Sequence, residues 1–510
     1  MTLRLLLGDQ LNSSHSWFDK VDDSVCYVMM EVQQETNYVT HHIQKVVAFF
    51  RAMRHFKAEL EQQGHRVDYI TLNQKNNNQS IPENLHKLIT TYKASEFEYQ
   101  LPDEYRLDKQ LKDFCETLSI SSDAVDTEHF MTSRSFLTSF FEGKKQLVME
   151  FFYRRVRKDF NLLMEGVNPL GGAWNFDKNN RNKWKGTPEI PGAYQADTSN
   201  VESLSKLIDD EGVETLGKLD PNSFLYPASR KEALLQLEYF NENLLIYFGI
   251  YQDAMHTEEI NLFHSRLSFA LNTKMLSPLE VVHSVINYYH QHEEEIDISQ
   301  VEGFVRQIIG WREYMRGIYW REMPSYVQKN ALDNQNSLPD FYWTAKTKMN
   351  CLSQSIQNSL DHAYAHHIQR LMITGNFALL AQVHPDQVDR WYLGIYADAV
   401  EWVQLPNTRG MSQWADGGIV ATKPYVSAAA YINKMSNYCE GCKYDKKKRL
   451  GEDACPFNSL YWNFLDDKKQ FFAKNNRIAM MLRLLEKIPP AELSEIKERA
   501  YKIISQPDEF

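Results

Sequence analysis

Cysteine is scarce in this chain, six among 510 residues, too few for the disulfide framework that holds small secreted domains together. No apolar run reaches the roughly 18 residues of a membrane span. The opening stretch Met1–Leu7 is broken at once by Gly8-Asp9-Gln10, so a cytoplasmic protein without a membrane partner is expected. No strand-like segment is followed by G-x-G-x-x-G or a P-loop, which leaves an ordinary dinucleotide or nucleoside-triphosphate site unsupported. An excess of positive charge is also missing. With 56 Lys and Arg against 67 Asp and Glu, the net charge is -11, which argues against indiscriminate coating of nucleic acid but leaves room for a local basic groove. Only 21 Gly and 17 Pro, with no internal repeat, exclude fibrous architectures. What is present is 43% hydrophobic and 13% aromatic residues, enough to fill the cores of two or three domains.

Character changes along the chain. Leu3 to Leu7, Val25 to Met30, Arg66 to Leu72 and Phe97 to Gln100 are short apolar or β-branched runs, and Ile43 to Gln63 has helical spacing. That alternation predicts an α/β N-terminal domain with a parallel, Rossmann-like sheet, whose ligands sit at the carboxyl ends of the strands. Residues 1–135 are assigned to it. Residues 136–227 read as a connector, with a basic amphipathic stretch Phe151 to Phe160 and a polar aromatic loop Gly171 to Asp177. Residues 228–510 form a large all-α domain by spacing, with stops expected at Pro278, Pro324, Pro339, Pro385 and Pro406.

Four of the cysteines form a suggestive set. Cys439-Glu-Gly-Cys442 and Cys455-Pro456 share one loop-rich stretch, and Cys351 completes four thiols. Four converging thiolates suit zinc or an iron–sulfur cluster. One C-x-x-C joined to two isolated cysteines favours iron–sulfur, since structural zinc usually pairs two knuckles; four unrelated cysteines is the plainer alternative. Cys26 and Cys115 read as core thiols.

His366, His367 and Arg370 gather donors within one helical turn. Adjacent histidines beside an arginine suit acid–base work, although a single histidine is more often a satisfied structural residue. Trp343, Trp391, Tyr392 and Trp402 supply aromatics that by spacing alone belong to a core. Three further segments stand out: His264-Ser265-Arg266-Leu267-Ser268, the run Gly303 to Arg316 with Gln307 and Arg312, and Gly410-Met411 to Gly418. Small hydroxyls can hold a diphosphate, and Gln307 with Arg312 can orient one.

These segments, in this order and behind an α/β domain, resemble the photolyase/cryptochrome superfamily. With the four cysteines the chain is similar to the iron–sulfur bacterial branch, the prokaryotic (6-4) photolyases, from Gly8 to about Phe464. The resemblance implies an FAD-binding helical domain. His264, Ser265, Leu267 and Ser268 match the stretch around the FAD phosphates, and Gln307 and Arg312 match the flavin-facing helix. Arg370 and Asp398 match an ion pair beside the flavin ring, and Gln404 stands where many relatives have Asn. Trp343, Trp391 and Tyr392 match the electron-transfer relay of this branch. His366, His367, Tyr425 and Met411 match the lesion pocket, with His367 as the first candidate acid. Cys351, Cys439, Cys442 and Cys455 match the ligands of a [4Fe-4S] cluster with a structural role. Gly8, Asp9, Glu35, Tyr38 and His42 match the site of a light-harvesting antenna, 6,7-dimethyl-8-ribityllumazine.

The function so implied is a DNA-repair lyase: reduced FAD, lit with blue light, passes an electron to a (6-4) pyrimidine lesion flipped out of UV-damaged DNA, single- or double-stranded. A monomer is expected. Arg181 and Lys183, or Lys446-Lys447-Lys448-Arg449, are the candidate basic rim, the latter being equally a solvated run balanced by Glu452 and Asp453. The alternatives are a cryptochrome-like photoreceptor that repairs nothing, and a light-independent iron–sulfur nucleic-acid binder resembling the cluster domain of primase large subunits.

Overall fold

The computed structural model describes residues 1–510. Its N-terminal part is a five-stranded sheet of β1 (Thr2–Leu5), β2 (Val25–Met30), β3 (Val67–Ile70), β4 (Glu96–Gln100) and β5 (Ser121–Val125), all parallel, in the order β3-β2-β1-β4-β5. Leu3 of β1 lies opposite Cys26 of β2 and Phe97 of β4. Alternation along β2 explains why it is apolar throughout. Cys26, Val28 and Met30 face one buried layer with Leu85, Leu107 and Phe114, while Val25, Tyr27 and Met29 face the layer that holds helix Ile43–Gln62. Each such buried apolar side chain contributes about 1.5–3 kcal/mol. β5, which the apolar pattern does not reveal, is a polar edge strand whose first three residues are exposed.

Helix Ile43–Gln62 joins this sheet to the rest of the molecule. Its N-terminus is docked on the helical part: His42 N–H donates to the Gly394 carbonyl, Ile43 N–H to that of Leu216, and Lys45 Nζ to those of Leu393 and Ala399 at 2.7 Å each. One apolar core therefore runs without interruption from the sheet face through Val46, Val47 and Phe50 into the helices. Gly217 permits this joint. It has φ +76°, and a Cβ there would lie 1.9 Å from His42 Nε2.

The remaining chain is mostly helical, apart from irregular loops and a short antiparallel pair, Met164–Glu165 with Asn168–Pro169. Pro278 and Pro385 begin helices rather than only ending them, because a first-turn N–H has no intrahelical partner to lose; Ser277 and Glu280 close a capping box around the former. Pro406 does not stop its helix. Glu401–Leu405 continues through it into a π-helical turn, Pro406–Ser412, whose wider bore takes up the clash a proline ring makes with the preceding turn. Two further π turns, Arg306–Arg312 and Arg370–Gly375, interrupt other helices of the same domain.

Candidate functional site

The three π turns and the predicted cofactor residues coincide. Gln307 and Arg312 lie in the first, Arg370 in the second, Met411 in the third, and Gln404 is in the helical turn Glu401–Leu405 that leads into the third. A π turn costs helical hydrogen-bond quality and is concentrated at functional sites. Here the second and third are in contact: a Cβ on Gly375 would meet Ser412 Oγ at 2.1 Å. Arg370 donates from Nη1 and Nη2 to the two oxygens of Asp398 at 3.0 and 3.1 Å, and its guanidinium lies 3.8 Å from the Tyr396 ring centroid. The Arg370 guanidinium, with the Ser268 hydroxyl nearby, holds the Asp398 carboxyl below its ordinary range against the opposing effect of burial, the largest single influence. Asn272 Nδ2 donates to the Asp398 carbonyl, so helix Ser268–Asn272 abuts the ion pair. Ser268 and Leu267 thus converge with Arg370 and Asp398. Ser265 sits just before them, its carbonyl accepting from Gln236 Nε2.

Several buried polar atoms in this region have no hydrogen-bond partner: Trp402 Nε1, Arg312 Nε and Nη1, and Gln404 Oε1, the amide nitrogen of Gln404 donating to Thr408 Oγ1. Such atoms are costly unless something occupies the space they face, and their donor and acceptor character fits a polar, aromatic cofactor such as a flavin. Arg312 also donates to His129 Nε2 and the Leu271 carbonyl and lies over the Trp402 and Phe130 rings, toward the sheet side of the domain.

His366 precedes the helix that carries Arg370. Its ring stacks on His264, centroids 4.6 Å apart, and neither His366 nitrogen has a partner. The His264 nitrogens are taken by the Asn261 and Gln252 carbonyls, which places this side chain beside the histidine pair and commits it to fixing the loop. His367 presents its ring to open space, yet desolvation, with Arg370 and His264 nearby, depresses it to about 4, as for a side chain on the wall of a deep cleft. Burial likewise keeps His366 neutral. Met411 is buried, and Tyr425 is half-buried with its phenol raised by burial; Arg181, Arg477, Asp177 and Asp253 are the charges around it.

Trp391 and Tyr392 are buried and in edge contact at 5.2 Å. Tyr392 Oη donates to the Arg370 carbonyl and also bonds Thr374 Oγ1. Trp343 is 46% exposed; the ring of its segment that packs on Trp391 is Tyr342, at 5.1 Å. Tyr396, which spacing does not single out, touches Trp391, Tyr392 and Arg370 together.

The four cysteines are unpaired and come together from three segments. Cys351 is on helix Asn350–His362, Cys439 and Cys442 are in one loop, and Cys455 precedes helix Pro456–Phe472. Burial raises all of Cys351, Cys439 and Cys455, the last to about 12, with neighbouring thiols of the set adding to each shift. The sulfurs do not close to the spacing of a single ion.

Gly8, Asp9, Glu35 and Tyr38 line one cavity between the sheet and the helices, with Phe49 and Trp402 on its apolar walls. Arg106 organises it, donating to both oxygens of Glu35 at 2.9 Å and lying 4.5 Å over the Tyr38 ring. Asp9 is held by Lys274 Nζ at 2.8 Å. His42 does not line this cavity; His41 does. Adjacent residues diverge here because His42 is the helix cap, its Nδ1 accepting from Gln44 N–H and its Nε2 donating to the Leu360 carbonyl. Glu104 and Glu401 close the cavity from opposite halves of the chain, and burial with mutual repulsion raises Glu104.

Of the two basic candidates, Lys446–Arg449 is largely spent on local partners: Asn433, Asp453 and Glu492. Arg181 and Lys183 line a notch with Lys185, Lys434 and Tyr251 whose lining holds no carboxylate, although Lys183 Nζ pairs with Glu440 Oε1 at 2.9 Å. Lys185 and Lys434 are far apart in sequence, so no local pattern announces them.

No helix is long and apolar enough to cross a membrane. Residues 4–224 match the family model "Deoxyribodipyrimidine photo-lyase-related protein". In fold the chain is similar to a bacterial class III photolyase from Agrobacterium tumefaciens, with TM-score 0.60, 15% identity and 99% and 98% of the two chains covered. It is similarly close to a Synechocystis cryptochrome, with TM-score 0.60, 11% identity and 96% and 99% covered. In sequence it is 44% identical over 486 residues, 94% of each chain, to a protein of Agrobacterium fabrum named (6-4) photolyase. That extent of identity shows that the chain belongs to the (6-4) photolyase family of the photolyase/cryptochrome superfamily.

Proposed function

We propose that the protein is a light-driven repair enzyme for (6-4) photoproducts in UV-damaged DNA. The observation that carries this reading is that His367 and His366, the latter with neither ring nitrogen hydrogen-bonded, stand at the start of the same π-interrupted helix that carries Arg370, so a proton donor and a cofactor anchor share one rigid element. Bound and reduced, FAD would supply one electron to the lesion on absorbing light. Ser265 and Ser268 would hold its diphosphate, Arg370 and Asp398 would flank its ring, and Gln404 would offer its free carbonyl oxygen. Trp343, Trp391 and Tyr392 form the aromatic path from the surface. The lesion lies against Tyr425 and Met411. His367, neutral in the free protein, becomes an acid when a lesion phosphate beside it raises its pKa toward neutrality. The notch of Arg181, Lys183, Lys185 and Lys434 takes the DNA backbone.

The cavity of Gly8, Asp9, Glu35 and Tyr38 suits a lumazine antenna, with an arginine-backed aromatic wall and fixed carboxylates. Residues 1–135 act as the antenna unit, 136–227 as the connector and 228–510 as the catalytic unit. The all-thiol donor set Cys351, Cys439, Cys442 and Cys455 fits a [4Fe-4S] cluster that ties helix Asn350–His362 to the C-terminal segment. The test is repair of duplexes carrying either a (6-4) or a cyclobutane lesion under blue light. Loss of the (6-4) lesion alone is expected, and His367→Ala should reduce repair by about 100-fold or more while flavin photoreduction persists. Unchanged repair in His367→Ala removes this residue from the mechanism; persistence of both lesions in the wild type sinks the reading.

A further inference from the structure

The buried space behind the two histidines holds a connection that neither the cofactor nor the lesion explains. Tyr438 stands immediately before Cys439, and its carbonyl accepts from Asn350 Nδ2 at 2.9 Å, Asn350 being the residue before Cys351. The two segments of the cysteine set are thus joined one residue away from the thiols. On its other side, Tyr438 Oη accepts from Gln369 Nε2 at 2.9 Å. Gln369 Oε1 in turn accepts from the His366 N–H at 3.2 Å. Tyr438, Gln369 and His366 are 1%, 2% and 3% exposed, so water cannot replace any of these bonds.

From this geometry we infer that Tyr438 and Gln369 are positioning residues for the lesion-pocket histidines, a clasp through which the cysteine loop fixes where the His366–Arg370 helix begins. This rests on the repair reading above and extends it. His366 N–H is one of the first-turn donors that a helix leaves unpaired. Its partner is the Gln369 carbonyl oxygen, the only end of the amide that can accept from this N–H, and the Tyr438 hydroxyl tethers the other end of the same amide. The bond is far from idle for chemistry: His366 carries the stack on His264, and His367 follows directly, so a rotation of the helix start redirects both imidazoles. Arg370, one turn further on, is in addition held by both oxygens of Asp398, a partner outside the helix start. Loosening the clasp therefore moves the histidines more than the cofactor anchor.

The test uses holoenzyme carrying Tyr438→Phe, Gln369→Leu, or both. Hydrogen exchange at the His366 amide should rise about tenfold in each single variant and no further in the double variant, since both substitutions break one link; a peptide spanning the cysteine loop should be unchanged. At saturating (6-4) duplex, repair per absorbed photon should fall about tenfold, with lesion Kd within twofold of wild type and the same rate of flavin photoreduction. A purely structural role would instead lower lesion affinity, flavin content and iron content together. Unchanged exchange, additive exchange in the double variant, or faster exchange with undiminished repair each overturns the inference. Should Tyr438→Phe fail to fold, Gln369→Asn, which shortens the amide out of reach of both partners, answers the same question. If wild-type protein repairs no lesion, the repair reading fails, while the exchange measurements still decide the clasp.

Discussion

His42 gives the joint between the two halves of the molecule a dependence on pH that can be worked out from its bonds. The ring is fully buried, with Nδ1 accepting from Gln44 N–H at 3.1 Å and Nε2 donating to the Leu360 carbonyl at 2.8 Å. Only the neutral form satisfies both. A second proton would arrive on Nδ1, abolish the cap and place a charge in the core. Burial accordingly pulls the pKa from 6.5 to about 4, the Leu360 bond opposing it. Because the folded value is depressed, the stability it contributes is complete above 6.5 and is lost as pH falls from 6.5 through about 4. At about 1.4 kcal/mol per pH unit, this drop corresponds to about 3 kcal/mol. Urea unfolding followed by tryptophan fluorescence at pH 7.5 and pH 4, for wild type and His42→Asn, isolates the effect. Asn keeps a capping oxygen and cannot titrate, so its loss of stability on acidification should be smaller by about 3 kcal/mol. Parallel losses in the two proteins would refute the assignment of a neutral, buried His42.

Gly217→Ala should destabilise the protein by about 2–4 kcal/mol, from overpacking against His42 and from its positive φ; a denaturation midpoint equal to wild type would contradict the contact. Asp398→Asn leaves Arg370 without its carboxylate partner and should cost about 2–3 kcal/mol, less than a fully buried pair because both side chains keep some exposure. The same variant should also be purified with little flavin, as read from its visible absorption. Cys439→Ala should give insoluble or iron-free protein, and a soluble variant with full iron content would remove Cys439 from the ligand set.

Much of this architecture is legible in the sequence where burial imposes a period. β1 to β4 and helix Ile43–Gln62 are visible because each must turn apolar side chains toward a core at spacing 2 or 3.6. β5 is not: Ser121, Ser122 and Asp123 lie at a solvent-facing edge, so nothing selects apolar residues there. The π turns are equally silent, since an inserted residue leaves no periodic trace, and Pro406 reads as a stop for that reason. In the candidate site, Ser268, Arg370 and Asp398 are recognisable by resemblance, and the structure brings them together. The choice between His41 and His42 could not be read, because it depends on which of two neighbours adopts the extended cap conformation, φ -63° and ψ 135° for His42. Lys434 joins Arg181 only through tertiary folding, and Tyr438 carries no mark in its own neighbourhood beyond the cysteine that follows it.

The uninterrupted core through helix Ile43–Gln62 bears on how the molecule can be rebuilt. The angle between sheet and bundle is set by interdigitated side chains, and residues 136–227 take part in that packing, with Val201, Leu204 and Ile208 in the core and Leu216 and Gly217 at the joint itself, so replacing this stretch should shift the angle. Dividing the chain would instead lay bare Val46, Val47 and Phe50. Any two chromophores seated on either side of such a joint would keep a constant transition-dipole angle without a dedicated brace.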